Sequence, residues 1–93
     1  MKQLKIKISD TIGAVSAALL EPPEMKALIV LAHGAGAGMN HIFMTQLSDA
    51  LAQKGIGTLR YNFPYMENGK KRPDVPAIAT KTIGMVLEKA HSL

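Results

Sequence analysis

The stretch Ala27-Leu28-Ile29-Val30-Leu31-Ala32-His33-Gly34-Ala35-Gly36-Ala37-Gly38-Met39-Asn40 runs six aliphatic residues straight into a glycine loop. Ala27 to Ala32 shows no polar alternation, which predicts a strand covered on both faces in a parallel sheet. A loop at the carboxyl end of such a strand lies where open α/β sheets bind ligands. Gly34, Gly36 and Gly38 allow the backbone to approach a ligand closely and to turn its N–H groups outward.

On the N-terminal side, Gln3 to Ile8 alternates strictly, with Leu4, Ile6 and Ile8 on one face and Gln3, Lys5 and Lys7 on the other. That period of two predicts a strand with one wet face. Ser9-Asp10-Thr11-Ile12-Gly13 is a turn cluster, so Ala14 to Leu20 completes an antiparallel hairpin. Pro22 and Pro23 end it, because proline cannot donate to a ladder.

On the C-terminal side, Asn40 is a candidate N-cap. From His41 to Lys54, Phe43, Met44, Leu47, Ala50 and Leu51 share one helical face, and Gly55 suits the C′ position. Ile56 to Asn62 reads as a fourth strand, which completes a βαβ unit. A proline-bounded basic loop spans Phe63 to Pro73. Asp74 is placed to cap a last helix in which Ala79, Ile83, Val86, Leu87 and Ala90 face one way. The order β-β-β-α-β-α predicts an α/β fold, an antiparallel hairpin feeding an α/β layer.

Composition narrows the class. Ninety-three residues, 47% of them hydrophobic and 19% charged, form one small domain spanning 1–93. The chain is too apolar for intrinsic disorder and has no run near the ~18 residues of a membrane span. It contains no cysteine, which excludes disulfides and thiolate chemistry and makes the cytoplasm the expected compartment. Eleven Lys plus Arg against seven Asp plus Glu give a net charge of +4. Part of the excess lies in Lys2, Lys5 and Lys7 and part in the run Lys70-Lys71-Arg72, and aromatics make up only 4% of the chain, so a solvated surface is expected rather than a nucleic-acid interface. No carboxylate is spaced to join His33 and His41 in a metal site, and neither a metal nor an organic cofactor is expected.

Two chemistries suit the glycine loop. The first is phosphate or nucleotide binding, but no Lys-Ser or Lys-Thr follows Gly38. G-x-G-x-x-G also fails, at Met39 or at His41 depending on the starting glycine. The second is an oxyanion hole, in which fixed backbone N–H groups about 3 Å from a carbonyl oxygen stabilise the charge that develops there during acyl transfer.

His33-Gly34-Ala35-Gly36-Ala37-Gly38-Met39, Leu59-Arg60-Tyr61-Asn62-Phe63-Pro64-Tyr65 and Lys71-Arg72-Pro73 occur in this order and spacing. On these residues the chain resembles the α/β-hydrolases, and within them the small dienelactone-hydrolase-like branch. The resemblance implies a three-layer α/β/α sandwich with strand order 1-2-4-3 and the two helices on opposite faces. It implies an oxyanion loop of His33, Gly34, Ala35 and Gly36, with the Ala35 N–H as donor. Met39, Asn62, Phe63 and Tyr65 would then act as loop support or pocket wall.

The same family carries its serine in G-x-S-x-G after a fifth strand, with the acid and the histidine later. Ser9, Ser16, Ser48 and Ser92 all lack that context, and His91-Ser92-Leu93 falls where the fifth strand should begin. The resemblance therefore implies a truncated serine esterase or acyl hydrolase without a complete catalytic set, inactive alone. The alternatives are a non-catalytic oligomerising or partner-binding module, and an anion-binding domain. Lacking the fifth strand, Ala27 to Ala32 would form a bare apolar edge. That predicts a homo-oligomer, most simply a two-fold dimer, or completion by a separate hydrolase fragment.

Overall fold

The computed structural model describes residues 1–34 and 37–93. Strand β1 (Lys2–Ser9) and strand β2 (Gly13–Leu20) pair antiparallel from Lys2↔Leu19 to Lys7↔Ala14, and a register shift before Ser9↔Gly13 marks a bulge. At the turn the Ile12 N–H donates to Ser9 Oγ at 2.9 Å. Strand β3 (Ala27–Ala32) leads through the glycine loop to helix α1 (Ile42–Gln53) and strand β4 (Ile56–Tyr61). β4 lies parallel to β3 and antiparallel to β2, so the sheet order is β1-β2-β4-β3.

The alternation of side chains along the strands builds the layers. Ile6, Ile8, Val15, Ala17, Leu19, Leu59 and Tyr61 bury on one face beneath Val86 of helix α3 (Pro76–Ser92). Each Val, Leu or Ile among them contributes about 1.5–3 kcal/mol when fully buried. Thr58, the neighbour of Leu59, points to the opposite face and hydrogen-bonds Ser48 of α1. The two long helices therefore sandwich the sheet, as the family resemblance implies. Gly55 follows α1 at φ 80°, a left-handed conformation that costs glycine little. Its carbonyl accepts from Lys26 N–H at 2.8 Å, which fastens the start of β3.

Several local expectations are corrected. β3 is half-buried rather than covered, with Ile29 38% exposed. Among the described residues it forms one edge of the sheet, opposite β1, and pairs only with β4. Helix α1 turns Met44 and Ser48 inward and leaves Phe43 exposed, so the expected face is rotated. Its N-cap is His41 rather than Asn40, because His41 Nδ1 accepts from Phe43 N–H at 3.2 Å. The segment expected to be loop contains a single helical turn, α2 (Pro64–Glu67). Asp74 does not cap α3, which starts from Val75; its carboxylate accepts from Tyr65 N–H at 3.1 Å instead.

Candidate functional site

The carboxyl ends of the parallel pair β3 and β4 release His33 and Asn62 side by side. His33 is buried, and both ring nitrogens are engaged. Phe63 N–H donates to His33 Nε2 at 3.0 Å, and His33 Nδ1 lies 2.9 Å from Gly34 O. A backbone N–H can only donate, so Nε2 must accept and the proton must sit on Nδ1, directed at the Gly34 carbonyl. The imidazole thus splices the end of β3 to the residue that follows β4. Phe63 and Tyr65 meet it edge-on, with centroids 5.2 and 5.8 Å away, and Tyr61 packs on Phe63 at 5.3 Å. Burial also raises the pKa of the Tyr61 phenol.

The far end of the glycine loop is fastened by Asn62. Met39 N–H donates to Asn62 Oδ1 at 2.9 Å, and Met39 itself is buried. A Cβ on Gly38 would lie 3.3 Å from Asn62 Oδ1 and 3.3 Å from Met66 Cγ. The small residue at 38 is what lets the loop lie this close to the side chain that holds it. His33 and Gly34 open the loop, while Ala35 and Gly36, the other two residues of the expected oxyanion loop, lie outside the described residues.

Asn62 is held in turn by Glu67 of α2. Its Nδ2 donates to Glu67 Oε1 at 3.1 Å. Ser16 N–H donates to the same oxygen at 2.8 Å, while Lys5 Nζ and Ser16 Oγ each donate to Oε2 at 2.8 Å. Burial alone would raise the pKa of this carboxyl. The donors from Lys5, Ser16 and Asn62 outweigh it and hold the value at about 2, against an ordinary 4.5.

A pocket of about 200 Å³ opens beside the histidine, lined by His33, Phe63, Tyr65, Pro73, Asp74 and Ala79. Phe63 and Tyr65 thus form part of its wall, whereas Met39 and Asn62 are tied into the loop support and are not among its lining residues. None of the four serines lines this pocket. Ser9 accepts from Ile12, Ser16 bonds Glu67, Ser48 bonds Thr58, and Ser92 donates to Lys89 O. His41 caps α1 and His91 is exposed near the end of α3. Among the described residues no three His, Asp or Glu gather as metal ligands, and no helix is long and apolar enough to cross a membrane.

A mixed sheet of this order, flanked by helices and carrying a glycine loop after β3, defines an α/β-hydrolase-like domain. The sequence profile described as alpha/beta hydrolase domain matches residues 25–92, and the chain belongs to that family. Curated protein sequences supply no match. Among solved structures it is similar to Est1E from Butyrivibrio proteoclasticus, with a TM-score of 0.79 and 21% identity, covering 100% of this chain and 36% of that one. An α/β serine hydrolase without a lid from Xanthomonas campestris superposes with a TM-score of 0.75 at 20% identity, covering 98% and 44% respectively. An alpha-beta serine hydrolase homologue from Coxiella burnetii gives 0.71 at 22% identity, covering 98% and 45%. The chain thus spans less than half the length of these relatives in fold.

The Glu67 network escaped the sequence reading. Glu67 sits inside the segment expected to be loop, and its hairpin partners Ser16 and Lys5 are 51 and 62 residues away. The one signal available was the placement of Ser16 and Lys5 on the same wet face of the hairpin.

Proposed function

We propose that this chain provides the oxyanion-loop part of a serine acyl-hydrolase site and does not turn over esters by itself. The observation that carries the reading is the fastening of the glycine loop at both ends by consecutive residues after β4. Phe63 N–H holds His33 and Asn62 Oδ1 holds Met39 N–H. Backbone donors stabilise a developing oxyanion only when they are fixed beforehand, and a loop anchored in this way suits that task. The pocket walled by Phe63 and Tyr65 suits an apolar acyl or alkoxy group. The serine hydrolases among the relatives in fold support the same class of chemistry. The nucleophile is not among these residues, because every serine hydroxyl is committed to a structural bond and none sits in G-x-S-x-G.

The test is hydrolysis of p-nitrophenyl acetate by the purified chain. The expected result is no turnover that depends on a single side chain. Turnover abolished by His33→Ala overturns the reading. A G-x-S-x-G segment encoded directly downstream supports it.

The exposed outer side of β3 favours a second reading, association of two copies. Ala27 to Ala32 offers backbone donors and acceptors with no charge along the strand, an edge that pairs readily with another. In this reading two β3 strands meet antiparallel about a two-fold axis. Light scattering at ~50 μM, a concentration at which any micromolar dimer is populated, is expected to give twice the chain mass. A monomer at that concentration removes this reading.

A further inference from the structure

Helix α2 is a single turn, yet its Glu67 bonds three other parts of the fold: β1 through Lys5, β2 through Ser16, and the β4 exit through Asn62. The Asn62 side chain has two unlike ends, a donating amide and an accepting oxygen. An ionised carboxylate only accepts, so Glu67 Oε1 selects the Nδ2 end of Asn62 and leaves Oδ1 facing Met39 N–H. The reverse orientation would set the Asn62 amide against the Met39 N–H and its oxygen against the carboxylate, two repulsive contacts in place of two hydrogen bonds. With Gly38 packed against the same Oδ1, the direction of Asn62 decides where this end of the loop sits.

We infer that Glu67 is a positioning residue for the glycine loop, acting through Asn62, so that the β1–β2 hairpin sets the loop from outside. The inference concerns the conformation of the loop and holds whether the loop serves acyl transfer or another anion.

Amide hydrogen exchange measured by NMR tests it, with Met39 as reporter and the core amides of Val15 and Leu59 as controls for global opening. Exchange at Met39 is expected to rise about tenfold in Glu67→Ala, the scale of one net hydrogen bond, and by the same factor in Asn62→Ala. The double variant is expected to exceed neither single one, because both remove the same relay. Glu67→Gln, which keeps an acceptor oxygen toward Asn62 and Ser16, is expected to retain the protection of Met39. Additive effects, or unchanged Met39 protection in Glu67→Ala, overturn the inference.

Asn62→Asp gives a decision even if Glu67→Ala fails to fold. A charged acceptor would hold Met39 N–H more tightly if residue 62 acted alone. Repulsion from Glu67 loosens it if the relay operates. Faster Met39 exchange in Asn62→Asp supports the relay, and equal or slower exchange refutes it. Ester turnover enters none of these readouts, so failure here is distinct from failure of the hydrolase reading.

Discussion

The two edges of the sheet are built differently. β1 carries Lys5 and Lys7 on its wet face, breaks its register before Ser9, and ties Lys7 to Asp10. Charges and bulges of this kind keep an edge from pairing with another chain. β3 has none of these features. Ala27 to Ala32 is aliphatic throughout, Ile29 is 38% exposed, and the strand ends in the glycine loop. One edge carries charges and a bulge, and the other is uncharged aliphatic strand. The candidate site lies on the second side, and its supports reach back to the first.

The sharpest way to break this contrast is to make the two edges alike. In the proposed antiparallel β3 dimer, Ile29→Lys places a like charge on each of the two paired strands. It is expected to raise the dimer dissociation constant at least about 100-fold, ~3 kcal/mol, read as a fall to single-chain mass in light scattering. Gln3→Lys on β1 is expected to leave the mass unchanged. A dimer that survives Ile29→Lys and dissociates in Gln3→Lys would reverse the assignment.

A second effect, of comparable or smaller size, lies in acid. Glu67 ionises near 2 in the folded chain and near 4.5 ordinarily, so its contribution is complete above pH 4.5 and lost as the pH falls through 2. The loss is about 2–3 kcal/mol, allowing for a Lys5 partner that is largely in water. Urea unfolding between pH 5 and 2 should show this decline, and Glu67→Gln should flatten it. The smallest effect belongs to the β1 edge itself. Lys7→Ala removes a solvent-exposed ion pair with Asp10 and is expected to leave the thermal midpoint unchanged.

The two edges also mark how far local pattern reaches. The alternation of Leu4, Ile6 and Ile8, the unbroken run before His33 and the glycine at 55 specify strands, hairpin and βαβ unit from near neighbours alone, and the structure follows them. The apolar run misstates its cover, because aliphatic composition alone does not show which elements pack on the strand. The caps shift for a related reason. Asn40 and Asp74 are good cap residues, but His41 Nδ1 does the same work one position later and Asp74 is drawn to Tyr65. In the candidate site, His33 and Gly34 stand out by their place after an aliphatic run, whereas Phe63 and Tyr65 enter only through the family resemblance. Glu67 does not stand out, because no periodicity links residue 67 to residues 5 and 16.

Those separations of 51 and 62 residues bear on the order of assembly. Local turns and helices form early in folding, whereas contacts that close long loops wait until the entropy of closure can be met. The glycine loop follows β3 directly, yet its far anchor depends on a carboxylate held by the first hairpin. Asn62 can take its direction only after the hairpin, β4 and α2 have met. The far anchor of the loop is thus completed late, and a chain leaving synthesis acquires it only when Glu67 has docked on the hairpin.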